Sequence, residues 1–175
     1  HGSRNMGKYD EPLIAGIERA TEKYPDRTAI IYLGQRFTYR RLLEGIRRFA
    51  TALHALGLRK GDKIMLYIPN CPQFLIAYFG AHVIGAVPVP VSPIYTPHEI
   101  RYLIEDAEAE TVLCMDTNFR YIQEVLPETR LKRVIVTNYV DMLPAYKRLL
   151  GFLFDVVPEG KIEKGPEVHS FRRLL

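Results

Sequence analysis

A catalytic group needs a partner at a short, specific spacing, and the reactive residues of this 175-residue sequence are not arranged that way. Beyond His1 the histidines are His54, His82, His98 and His169, and no two of them have the spacing of zinc ligands. Cys71 and Cys114 stand far apart and outside any Cys-x-x-Cys pattern, which argues against zinc and against a secreted disulfide framework and fits a reducing cytoplasm. No serine or cysteine sits in a nucleophile-elbow pattern. No Gly-x-Gly-x-x-Gly follows an apolar run, and no Gly-Lys-Ser or Gly-Lys-Thr occurs. Arg59-Lys60-Gly61-Asp62-Lys63 sets a lysine beside a single glycine, which reads as a turn entering a strand, since one glycine cannot build a cradle of backbone N–H groups. His82, between Phe79 and Val83, reads as a packed, hydrogen-bonded histidine, His54 as a helix margin and His98 as an exposed first-turn residue. Glu105, Asp106, Glu108 and Glu110 read as solvated charge at a helix end. No metal site and no catalytic residue are expected.

The elements that carry these residues follow from hydrophobic period. Leu13, Ile14, Ile17 and Ala20 make a helical stripe over 12–24 that Pro25 ends. Residues 28–33 read as a strand, Gly34-Gln35 as a tight turn, and Arg36-Phe37-Thr38 as its return, a small hairpin. Thr38 can cap the next helix, whose Leu42, Leu43, Ile46, Phe49, Ala50, Leu53 and Leu56 pack one face until Gly57 supplies a left-handed stop. From Asp62 onward, apolar runs at 63–68, 86–91, 111–115 and 133–137 alternate with helices at 72–84, 97–108 and 118–126. Continuous apolar strands separated by helices predict an α/β fold: a doubly wound, mostly parallel sheet flanked by helices. Thr96-Pro97-His98-Glu99 is a capping box with proline at the first helical position. Residues 139–154, with Pro144 inside, predict two short helices or one kinked helix. Residues 158–166 predict an exposed loop, and 167–175 the start of a helix.

Hydrophobic content of 47% and charged content of 25% are those of a globular protein. The net charge of +4 arises from basic residues interspersed with acidic ones, so no nucleic-acid face is expected. Residues 1–5 read as a tag remnant before one domain over 6–175. No run reaches the ~18 uninterrupted apolar residues of a membrane span. In residues 139–157, Lys147 and Arg148 beside Leu149, Leu150, Phe152, Leu153 and Phe154 read either as an interfacial membrane patch or, more ordinarily, as a helix packed on the sheet or one covering a surface that belongs to sequence outside this chain.

Four segments in order resemble the start of the adenylate-forming superfamily of acyl-CoA synthetases. Phe37-Thr38-Tyr39 before Arg41-Leu42-Leu43 resembles its "TYxEL" opening, with Arg41 where an acidic residue is common. Gly61-Asp62-Lys63-Ile64 through Ile68-Pro69-Asn70-Cys71-Pro72 resembles "GDrVaiyxpNsxe". Residues 74–93 resemble "fxlAyfGxlkaGaxxvplnP", with Gly80 and Gly85 letting the helix approach the sheet and then end. Helix 97–108 followed by Thr111-Val112-Leu113 is similar to the usual continuation. The resemblance runs from about residue 12 to residue 137 and is nearest to medium- or long-chain fatty acid–CoA ligases.

That resemblance implies a reaction in which ATP, with Mg2+, converts a fatty acid to an acyl-adenylate, and coenzyme A then displaces AMP. The family's phosphate-binding loop, adenine contacts and catalytic lysine are expected after Leu175, so this chain is expected to be an N-terminal fragment, inactive and binding no cofactor by itself. Some relatives hold the nucleotide end of coenzyme A with the loop that is 92–101 here. Ile94 stands where some carry arginine, which leaves Tyr95 and Arg101 as the coenzyme A contacts. An uncovered sheet face implies a homo-oligomer. The rival readings are a stand-alone α/β binding module with its own pocket at the strand ends, and a membrane-interaction module using 139–157. The expected location is cytoplasmic, with a membrane-peripheral variant.

Overall fold

The computed structural model describes residues 11–153, 158–163 and 165–175. The tag remnant at 1–5 and residues 154–157 of the membrane patch lie outside the described residues. Helix α1 (Ala15–Lys23) leads into the antiparallel hairpin β1 (Thr28–Tyr32) and β2 (Gln35–Thr38). The turn falls on Leu33-Gly34 rather than on Gly34-Gln35. Both residues have positive φ, 48° and 68°, the geometry whose twist matches that of a two-residue hairpin. Thr38 caps α2 (Tyr39–Ala55) by accepting the Arg41 N–H at 3.2 Å, and Gly57 stops it at φ 94°.

Beyond Asp62 come β3 (Lys63–Tyr67), α3 (Pro72–Val83), β4 (Val87–Pro90), α4 (Pro97–Ala107), β5 (Thr111–Met115), α5 (Phe119–Val125), β6 (Arg133–Thr137), α6 (Ala145–Leu153), β7 (Val168–Ser170) and α7 (Phe171–Leu174). The five strands β3–β7 pair in parallel in the order β4-β3-β5-β6-β7. The chain steps outward from β3 to β4, then crosses back to β5, so the strand order reverses between β3 and β5. Two expectations change near the C-terminal end. The helix predicted over 167–175 begins with a strand, because Val168–Ser170 pair with Val134–Val136, and helix is confined to 171–174. Over the described part of 139–154, residues 139–153, there are neither two helices nor a kink: Pro144 lies just before the first turn of a single helix, α6.

Strand alternation divides the core into two layers. Ile64, Leu66, Leu113, Met115 and Ile135 face α2, α3 and α7, while Met65, Tyr67, Val112, Cys114, Val134 and Val136 face α4 and α5. On the first face a Cβ on Gly80 would lie 3.1 Å from the Phe49 ring and 3.3 Å from the Ile46 carbonyl oxygen. One on Gly45 would lie 2.9 Å from Ile76. The two glycines therefore bring α2 and α3 together, so Gly80 serves a helix–helix contact rather than the approach to the sheet expected of it. Fully buried Phe49, Ile46 and Leu53 at this crossing each contribute about 1.5–3 kcal/mol of burial. Arg41, the departure from the acidic pattern, stacks over the Phe37 ring at 4.3 Å and donates to the Met142 carbonyl at 2.6 Å. It thereby ties α2 to the segment after β6. Among the described residues no helix is long and apolar enough to cross a membrane.

Candidate functional site

In a doubly wound sheet the natural binding crevice lies at the carboxyl ends of the strands where strand order reverses, because the loops on either side leave to opposite faces. Here those loops are Ile68–Cys71 after β3 and Asp116–Asn118 after β5. A side chain closes the crevice between them. Asn118, 8% exposed, accepts the Met115 N–H at 3.0 Å and donates to the Tyr67 carbonyl at 3.2 Å, stitching the two strand ends together.

A buried polar network continues from there toward β6. Gln73, in the first turn of α3 and fully buried, donates through Nε2 to the Asn138 carbonyl at 2.8 Å and the Thr137 hydroxyl at 3.2 Å. Thr137 donates in turn to Asp141 at 3.0 Å, and the Asn138 N–H reaches the same carboxylate oxygen at 2.9 Å. Asp116 accepts from the Asn138 amide at 2.7 Å and from the Gly160 N–H at 3.2 Å. Gln73 Oε1 and Asp116 Oδ1 are buried without a protein partner. A network of this kind fixes strand ends and loops, since each buried polar group left unpaired is costly. Sequence reasoning passed over all of these residues. The signal was present: Asp116 and Asn138 directly follow apolar runs, the position from which strand-end groups act.

Two hollows flank this network. One, of about 430 Å³, lies over the ends of β5–β7 and is lined by Asp116, Asn138, Asp141, His169, Ser170 and Arg173 among others. The other, of about 540 Å³, lies over β3 and β4 and is lined by Ile68, Asn70, Phe74, Pro90, Ser92 and Tyr95 among others. Tyr95 thus stands at a groove, and its carbonyl accepts a hydrogen bond from the Tyr67 hydroxyl. Burial pushes that hydroxyl up to about 12, so it remains a donor at neutral pH. Arg101 lies elsewhere: it lines neither hollow and pairs with Glu128 at 2.7 Å on the exposed side of α4. The two expected coenzyme A contacts are not brought together.

The remaining reactive groups have structural positions. His82 packs against Tyr78 with ring centroids 4.9 Å apart, but its buried Nε2 has no protein partner, so the hydrogen bond expected of it is missing. Burial pushes the Cys71 thiol up to about 11 and the Cys114 thiol further up, which removes both as nucleophiles. Glu105, Glu108 and Glu110 are paired rather than merely solvated, with Arg130 and Lys132. Among the described residues no three His, Cys, Asp or Glu side chains are placed to hold a metal ion. The left-handed glycines Gly34, Gly57, Gly61 and Gly85 serve turns, and the Gly61 N–H is taken up by the Gly85 carbonyl at 2.9 Å.

The model of the AMP-binding enzyme family matches residues 17–159. Long-chain-fatty-acid–CoA ligases from Yersinia pestis and Bacillus subtilis are 34% and 29% identical to the chain, over 93% and 95% of it. The chain spans 30% of the length of each. Among solved structures, a long-chain-fatty-acid–CoA ligase from Archaeoglobus fulgidus aligns over 72% of the chain, and 27% of its own, at TM-score 0.67 and 27% identity. The anthranilate–CoA ligase AuaEII shares the fold over 94% of the chain, and 27% of its own, at TM-score 0.75 and 17% identity.

Proposed function

Because the chain belongs to the AMP-binding enzyme family, we propose that it is the first α/β layer of a longer AMP-forming ligase that activates a fatty acid and passes it to coenzyme A. The observation that carries this reading is similarity to long-chain-fatty-acid–CoA ligases along nearly the whole chain. ATP with magnesium supplies the activation, by making AMP the leaving group. This chain's residues do positional work: Asn118 and Gln73 hold the carboxyl ends of β3, β5 and β6 rigid, so that loops leaving that edge keep their places. No group among the described residues stabilises charge on a transferring phosphoryl centre. On this reading the chain is inactive alone, and the magnesium and ATP sites are supplied by the longer protein.

Coenzyme A would meet this layer at the 92–101 loop. Tyr95 is the better supported contact, since it lines a groove. Arg101 reaches an anionic ligand by giving up Glu128, an exposed pair worth about 0–1 kcal/mol. The uncovered sheet face expected to drive self-association is not there, since β3, β5 and β6 are buried under helices on both sides; self-association of the isolated chain would have to use other exposed apolar side chains, such as Ile31 and Leu33 of the hairpin. The same reading includes a peripheral membrane contact through 139–157, favoured by the outward apolar side chains of α6. The test is acyl-CoA formation by a protein of the relatives' full length that contains this chain, with fatty acids of graded length. Product appearing only with ATP and coenzyme A supports the reading; no product with any carboxylate refutes it. In that protein Arg101→Ala should raise KM for coenzyme A and leave adenylate formation alone.

A further inference from the structure

The loop that leaves β4 has few ties to the rest of the fold. Strand β4 lies at an edge of the five-stranded sheet, and Pro90 and Pro93 have no N–H to donate. The last bond to β3 runs from the Val91 N–H to the Leu66 carbonyl at 3.1 Å. Beyond it the Tyr95 N–H turns back to the Ser92 carbonyl at 3.2 Å, and Thr96 is engaged by Glu99 in its capping box. Both of these are local and would travel with the loop. Among the described residues one hydrogen bond ties 92–96 to the sheet, from the Tyr67 hydroxyl to the Tyr95 carbonyl.

Tyr67 is anchored on every side. It is the last residue of β3, fully buried, and belongs to the core layer of Met65, Ile100, Ile104 and Phe119. Its own carbonyl accepts from the Asn118 amide at 3.2 Å, so one residue is bonded through its backbone to the loop after β5 and through its side chain to the loop after β4. The groove over β3 and β4 is built from the two segments Tyr67 controls: Ile68 and Asn70, which follow it directly, and Ser92 and Tyr95, which its hydroxyl holds.

We propose that Tyr67 is the positioning residue of the 92–96 loop, its hydroxyl setting where Tyr95 stands over the groove so that coenzyme A meets a loop already in place. The inference rests on the ligase reading and adds to it the group that holds the loop. Removing one such hydrogen bond shifts a loop between its held and open forms by about twofold to tenfold. Apparent affinity then falls with the fraction of loop left in the competent form.

Tyr67→Phe keeps the ring in the core and removes only the hydroxyl. In this chain, hydrogen exchange at the Tyr95 and Thr96 amides should quicken by about twofold to tenfold relative to the β5 amides, which report any general loss of stability. In a protein of the relatives' full length that contains this chain, KM for coenzyme A should rise by a similar factor. Its kcat and its fatty-acid-dependent pyrophosphate exchange, which precedes coenzyme A, should stay unchanged. Tyr24→Phe, at the end of α1, should alter neither readout. Unchanged exchange at Tyr95 and Thr96 overturns the proposal, as does an unchanged KM in an active enzyme. A fall in pyrophosphate exchange equal to the loss with coenzyme A also overturns it, since the hydroxyl would then support the fold at large. A longer protein inactive before any substitution refutes the ligase reading itself, so the two failures are distinct results.

Discussion

Replacing Asn118 by alanine removes a side chain that joins the ends of β3 and β5. It strands the Met115 N–H and deprives the Tyr67 carbonyl of a donor, both in a fully or nearly fully buried setting. A buried backbone group left without its partner costs about 1–3 kcal/mol, so the pair together should cost about 2–6 kcal/mol. For a domain of this size each kcal/mol moves the midpoint by about 2–4 °C, and the expected fall in Tm is therefore roughly 5 °C or more. Thr117→Ala, at the exposed neighbouring position, should stay within about 0.5 kcal/mol. Asn118→Asp separates the two bonds. Its carboxylate still accepts from Met115 but faces the Tyr67 oxygen, which favours the protonated form and raises the folded-state pKa. The variant should then be least stable at neutral pH and recover as pH falls through the carboxyl range. Urea unfolding with circular dichroism measures all three. A loss below about 0.5 kcal/mol for Asn118→Ala would mean that the strand ends are not held by this residue, and the sealed-crevice reasoning would fail.

Three further outcomes are expected. Gly80→Leu, which must place atoms against the Phe49 ring and the Ile46 carbonyl, should destabilise by about 1–3 kcal/mol or more, whereas Gly16→Leu, with nothing within 4 Å of its Cβ position, should not approach that loss; chemical denaturation compares them. Cys71 and Cys114 should react with a thiol reagent at pH 8 only as fast as the protein unfolds, because burial raises both thiols well above their ordinary range; rapid labelling of the native chain would contradict this. The Thr96 backbone N–H and hydroxyl hold the Glu99 carboxyl below the usual glutamate range. A lowered folded-state pKa means that this capping interaction is complete above the unfolded value and is lost as pH falls through the folded one. The Glu99 side-chain carbon should therefore titrate by NMR below ordinary glutamates, and α4 should fray first at its amino end.

Elements with a strong hydrophobic period were legible residue by residue. The stripe from Leu42 to Leu56 and the four apolar runs from Lys63 to Thr137 appear within a residue or two of their expected places, because burial on one or both faces dictates those patterns. Strand β7 was not legible: three residues, one of them His169, carry no period, and only pairing with an already formed β6 makes them a strand. The hairpin turn was misplaced by one position because Leu33 takes a left-handed conformation that leucine does not signal. At the carboxyl edge, Tyr95 and Arg101 were chosen through resemblance, and only Tyr95 stands at a groove. Asn118, Gln73 and Asp116 act through contacts 22 to 65 residues away in the chain, which no local pattern announces.

The most direct test of the central claim is fatty-acid-dependent exchange of pyrophosphate into ATP, measured side by side on this chain and on a protein of the relatives' full length that contains it. Exchange in the longer protein and none in this chain is the expected result, with this layer acting as scaffold and coenzyme A loop. Exchange by this chain alone would contradict it, since it would place the activating site within this layer.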